Sequence, residues 1–178
     1  MKSRRIEPFI DEATIADTVE QLAARIAEDF AGEPLLLLCI LSGSFIFTAD
    51  LARALARHQI EVEVDFMKVS SYEGEESSGT VKVEFDMERS IFQRNVLIVE
   101  DIIDTGRTLE HLLRLLQTRQ PRELRLCCLL DKPSRRINGL NAHYVGITID
   151  DLFVVGYGLD YMHKLRELPH IGIMSTEE

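Results

Sequence analysis

No apolar run in this 178-residue chain exceeds the seven residues from Leu35 to Leu41, far short of the roughly 20 a membrane span requires. The basic start, Met1-Lys2-Ser3-Arg4-Arg5, is followed by Glu7 and Pro8 where an export signal needs an apolar stretch, so a cytoplasmic protein is expected. Cysteine is scarce. Cys39, Cys127 and Cys128 are an odd set inside apolar runs, and adjacent strand residues face opposite ways, so Cys127 and Cys128 cannot share a metal; buried thiols in a reducing compartment are expected. The five histidines include no i, i+4 pair, and no P-loop is present. Residues 156–161, Gly-Tyr-Gly-Leu-Asp-Tyr, begin like a dinucleotide fingerprint but carry Tyr161 where the third glycine belongs.

Positive charge is also short. Twenty Lys and Arg face 30 Asp and Glu, a formal charge of −10, which argues against a nucleic-acid partner. A phosphate-bearing substrate would have to be met through a cation such as Mg²⁺. Linkers, repeats and low-complexity blocks are missing, so residues 1–178 read as a single domain.

What is there alternates between strand and helix patterns. The first 30 residues read as one helix, with Val19, Leu22, Ala23, Ile26 and Phe30 on one face, capped at Asp11 or Thr14 and stopped by Gly32-Glu33-Pro34. Leu35 to Leu41 has the unbroken apolarity of a strand buried on both faces; residues 45–57 return to helical spacing. In residues 61–69, Val62, Val64 and Phe66 alternate with Glu61, Glu63 and Asp65, which predicts one wet or edge face. Residues 70–79 offer little to bury and read as a mobile loop before a second alternating stretch, Val81, Val83 and Phe85. Residues 95–100 form another apolar strand, followed by a helix carrying Leu109, Leu112, Leu113 and Leu116. A strand at 124–130, two shorter ones around 144–147 and 153–155, and an irregular tail complete the reading. The fold expected is α/β: a central parallel sheet flanked by helices. Ligands in such sheets gather at the carboxyl ends of the strands. That singles out residues 42–44, 100–108, 131–133 and the stretch after Val155.

Residues 100–108, Glu-Asp-Ile-Ile-Asp-Thr-Gly-Arg-Thr, carry the most chemistry. Three carboxylates crowd the end of a buried strand, which is costly unless a cation is shared. Directly after them a helix opens with two threonine hydroxyls, a glycine and free amides, a cradle for one phosphate. A capped helix with a solvated acid cluster does not need two adjacent acids there.

Acids for a metal–sugar complex beside a phosphate cradle resemble the phosphoribosyl-diphosphate motif. Similarity to the hypoxanthine-guanine phosphoribosyltransferases of purine salvage extends from about residue 35 to 172, through Leu41-Ser42-Gly43-Ser44, Ser71-Tyr72, residues 99–109, Leu130-Asp131-Lys132-Pro133 and residues 153–161. The last block, with Arg166 after it, narrows the likeness to 6-oxopurine enzymes.

The resemblance implies a type I phosphoribosyltransferase fold, with a small hood built from the terminal segments. It implies Mg²⁺-dependent transfer of 5-phosphoribosyl to N9 of hypoxanthine or guanine, in a homodimer or homotetramer. On its terms Glu100 and Asp101 face the ribose hydroxyls and Mg²⁺, and Asp104 is the base for the purine N7 proton. Asp104, Thr105, Gly106, Arg107 and Thr108 hold the 5′-phosphate. Lys132 donates to the purine O6, Phe153 stacks on the ring, and the Val154 backbone reads its edge. Asp160 addresses the purine side and a second Mg²⁺. Ser42, Gly43 and Arg166 grip pyrophosphate, with a cis peptide at Ser42–Gly43, and Ser71 and Tyr72 belong to the closing loop. The acids Glu73, Glu75 and Glu76 depart from the family's usual loop.

Two other classes fit less well. A phospho-receiver domain also has an acid pair and a Lys-Pro, but its acids are split between strands. An RNA-binding protein that kept the fold would need a basic stripe.

Overall fold

Seven consecutive apolar residues can only be satisfied where a strand is covered on both sides, and Leu35–Leu41 (β2) lies at the centre of the large sheet. The computed structural model describes residues 4–71 and 81–176. In chain order the other elements are β1 (Arg4–Ile10), α1 (Glu12–Phe30), α2 (Phe45–Arg57), β3 (Val62–Ser71), β4 (Val81–Phe85), β5 (Asn95–Ile103), α3 (Arg107–Gln117), β6 (Glu123–Asp131), β7 (Tyr144–Thr148), β8 (Val154–Val155) and β9 (Ile171–Thr176). Six strands form one sheet in the order β4-β3-β2-β5-β6-β7, all parallel except the β3–β4 edge pair.

Alternate residues of the central strands feed two cores. Leu35 and Leu37, with Leu97, Val99 and Cys127, meet α1 and α2. Leu36, Leu38, Ile98 and Cys128 meet α3 through Leu109, Leu112 and Leu116. Cys127 and Cys128 therefore sit on opposite faces as free buried thiols, and burial pushes both pKa values up. Among the described residues no helix is long and apolar enough to cross a membrane.

The expected single helix over the first 30 residues is a strand followed by a helix. Asp11 caps α1 by accepting from the Thr14 amide at 2.7 Å, but residues 4–10 pair antiparallel with β9. The tail read as irregular is that partner: β1, β9 and β8 make a separate three-stranded antiparallel sheet, the hood expected from the terminal segments. Such pairing joins the two ends of the chain, which no local window of sequence registers.

A second departure lies in β3. Val64 and Phe66 are the exposed residues, while Asp65 and Met67 turn inward. The inward carboxylate is satisfied by the amides of Phe66, Glu88 and Arg89, so its face closes under residues 86–89. Finally, β5 runs past Glu100 to Ile103, because β6 keeps pairing with it up to Asp131. Glu100 and Asp101 thus belong to the strand, not to the turn after it.

Candidate active site at the strand ends

β2, β5 and β6 all end at one edge of the sheet, and a cavity of about 520 Å³ opens there. At the end of β2 the chain reverses at once, since the Ser44 hydroxyl already donates back to the Ile40 carbonyl at 2.6 Å. The non-proline cis peptide expected at Ser42–Gly43 lies one residue earlier, at Leu41–Ser42, where that reversal begins. Gly43 is then pressed between two neighbours. A Cβ there would lie 1.5 Å from the Asp101 carboxylate, and a Cβ on Gly158 would lie 2.1 Å from the Gly43 carbonyl oxygen. Only glycine at both positions lets the three segments meet.

The acids of β5 sit half-buried beside this contact. Burial pushes the Asp101 carboxyl up to about 6 against the help of backbone amides, one of them Ile102 at 2.7 Å. Burial, reinforced by the Asp101 charge, pushes Glu100 well above the ordinary carboxylate range. Among the described residues neither acid has an ion-pair partner, and no three His, Cys, Asp or Glu side chains gather in a metal-holding cluster. Two adjacent, desolvated carboxylates without a cation suit a divalent ion that takes its remaining oxygens from a substrate and water.

Beyond them Gly106, at φ 78°, starts α3 with no side chain of its own to cap it; the Arg107 amide donates to the Thr105 hydroxyl at 3.4 Å, and Thr105, Gly106, Arg107 and Thr108 line the cavity. Asp104 and Arg107 line the same wall. The turn is tied down from below, where Ile137 donates its amide to the Thr105 carbonyl at 3.2 Å and Arg136 bonds the Asp104 carbonyl.

At the end of β6, Lys132 is only 8% exposed and aims its ammonium toward Asp151, 3.6 Å away. Phe153, 52% exposed on the rim, meets Tyr161 edge to face at 5.9 Å, and Val154 is buried behind it. Asp160 pairs with Arg166 at 2.8 Å and accepts the His163 amide at 2.7 Å; Arg166 also donates to the Gly158 carbonyl. Asp160 is therefore matched to a cation already, unlike Glu100 and Asp101.

The candidate base, phosphate, pyrophosphate, purine and metal residues line this one cavity: Ser42 and Gly43, Glu100 and Asp101, residues 104–108, Lys132, Phe153 and Val154, Asp160 and Arg166. Ser71 ends β3, and Tyr72 with the acids Glu73, Glu75 and Glu76 lies outside the described residues. Sequence reasoning missed Arg135, Arg136 and Asp151. For Arg136 a signal was available, a basic residue five positions after Asp131 at a strand end; nothing local points Arg135 to Asp104 or Asp151.

Comparison with known proteins agrees with the geometry. Residues 10–162 match the family described as phosphoribosyl transferase domain. A hypoxanthine-guanine phosphoribosyltransferase of Staphylococcus aureus is 44% identical over 172 residues, which cover 96% of this chain and 94% of that one. The crystal structure of a hypoxanthine-guanine phosphoribosyltransferase from Bacillus anthracis, with HEPES in its active site, is 40% identical and has a TM-score of 0.90 over 98% of this chain and 100% of its own. A hypoxanthine phosphoribosyl transferase of Trypanosoma cruzi is 41% identical, with a TM-score of 0.91 over 95% of this chain and 91% of its own.

Proposed function

The chain belongs to the phosphoribosyltransferase family, and we propose that it is a single-domain purine-salvage enzyme moving 5-phosphoribosyl from its 1-diphosphate to N9 of hypoxanthine or guanine. One observation carries the reading. A desolvated acid pair, a glycine-started helix N-terminus, a buried lysine and an exposed aromatic face share one cavity.

In this reading the α3 amides with Thr105 and Thr108 hold the 5′-phosphate, since a helix N-terminus favours an anion. Lys132 donates to the purine O6 and Phe153 offers the ring a face, with the Val154 backbone at its edge. Asp104 takes the proton from N7. Arg166 and the Ser42-Gly43 turn receive the diphosphate, for which a guanidinium fork is suited. Glu100 and Asp101, with Asp160 nearby, are the residues that would hold Mg²⁺. When bound, Mg²⁺ neutralises charge on the leaving diphosphate. The remaining work of the protein is alignment and charge placement.

The reading also makes the protein cytoplasmic, in keeping with its free buried thiols, and a homodimer or homotetramer. Val64 and Phe66, two exposed apolar residues on one face of β3, support association of copies, and light scattering that returns the mass of a single chain would count against it.

A substrate panel tests the activity. Hypoxanthine and guanine with donor and Mg²⁺ are expected to release pyrophosphate. Adenine is expected to be refused, because its 6-amino group meets Lys132 donor to donor. Equal turnover of adenine would remove Lys132 from its role, and no turnover of any purine would remove the function.

A further inference from the structure

Asp104 and Lys132 come from the ends of different strands, yet a chain of charges joins them. The Nε of Arg135 lies 3.1 Å from one Asp104 oxygen, and its Nη1 lies 3.6 Å from an oxygen of Asp151. The other Asp151 oxygen is 3.6 Å from the Lys132 ammonium. The order is therefore Asp104, Arg135, Asp151, Lys132, drawn from the turn after β5, the 3-10 turn at Pro133–Arg135 and the loop after β7. No substrate contact of the proposed reaction uses the two middle members.

We infer that Arg135 and Asp151 are positioning residues, a bridge that sets the separation of the Asp104 carboxylate and the Lys132 ammonium so that both meet one purine edge. The inference rests on the proposed function and deepens it. N7 and O6 of a 6-oxopurine lie side by side on that edge, so base and donor must be held close together and within about 0.5 Å of their productive places. Neither is fixed by its own surroundings. Asp104 is about half exposed on a turn, and among the described residues the Lys132 ammonium pairs with Asp151 alone.

Stability is a poor explanation for the bridge. Arg135, Asp104 and Asp151 are each about half exposed, and ion pairs between exposed side chains add little to stability. Arg136 next door is the contrast. Its guanidinium pairs with Asp131, both nearly buried, and bonds the Asp104 carbonyl, the signature of a structural brace. Arginine also suits the bridging task in a way lysine does not, because its planar fork can address two carboxylates at once.

The test is steady-state kinetics on the full chain with hypoxanthine and the ribosyl donor, beside thermal melting. Arg135→Met and Asp151→Ala are each expected to lower kcat/KM for hypoxanthine about tenfold, the cost of sub-ångström misplacement, while KM for the donor and the Tm stay near those of the parent. The double variant should lose little more than either single one, since both cut the same link. Arg135→Lys should recover only a small part. Full recovery by lysine, single variants within twofold of the parent, additive losses, or an equal rise in donor KM would each overturn the bridge. A parent that converts neither purine would instead remove the functional reading, and the bridge with it.

Discussion

Asp104 joins two environments, with one carboxylate oxygen toward Arg135 and its residue on the wall of the cavity. Asp104→Asn keeps the shape and removes the proton acceptor. Turnover is expected to fall by roughly 10²–10⁴-fold while donor binding, measured by calorimetry, changes little. Turnover within threefold of the parent would exclude Asp104 as the base. That such residues would share one cavity was legible in the sequence wherever they form a contiguous string, as in residues 100–108. Arg135 and Asp151 were not, because a lysine, an arginine and two aspartates in separate segments announce no geometry until the sheet places their segments side by side.

At the scale of elements, the readable parts are those whose partners are near in sequence. β2 and α2 match the expected boundaries because an unbroken apolar run and a 3.6-residue period are local signals. β1 and β9 escaped because each is a strand only by virtue of the other. In β3 the alternation was seen but its faces were not, since Asp65 finds its amides in residues 88–89, more than 20 positions away. The end of β5 carries its own testable consequence. Glu100 and Asp101 have folded-state pKa values raised above those of the unfolded chain, Asp101 from 3.8 to about 6. Between those values the folded protein binds more protons than the unfolded one, so this pair's contribution to stability falls as pH rises through about 4 to 6 and stays low above. In chelator, Glu100→Gln with Asp101→Asn should therefore raise the Tm at pH 7.5, and the advantage should shrink toward pH 5. A penalty of about 1 kcal/mol corresponds to about 2–4 °C for a chain of this length. A double variant less stable than the parent at pH 7.5 would contradict the account.

For the molecule as a whole, the charge of −10 sets the terms on which a phosphorylated substrate can approach. Exposed charges beyond about 8 Å are screened at physiological salt, so the deciding repulsion comes from the acids in the cavity itself. Glu100 and Asp101 there form no ion pair among the described residues, whereas Asp160 pairs with Arg166. In the proposed reading the ribosyl donor brings a diphosphate to that acid pair, and a 6-oxopurine nucleotide brings one phosphate, held at the start of α3. The two ligands should therefore respond differently to loss of divalent cation. In calorimetric titrations with chelator, donor affinity should collapse, while IMP should still bind measurably through the α3 amides, Lys132 and Phe153. The Glu100→Gln, Asp101→Asn variant should bind donor with a weaker dependence on Mg²⁺, because the charges that demanded it are gone. Donor affinity unchanged by chelator in the parent would mean that these carboxylates are a solvated cluster and not a site for a metal-bridged substrate. Loss of IMP and donor together would place the cation's effect on the fold of the site, and the phosphate cradle would then need its own test by removal of the Thr105 and Thr108 hydroxyls.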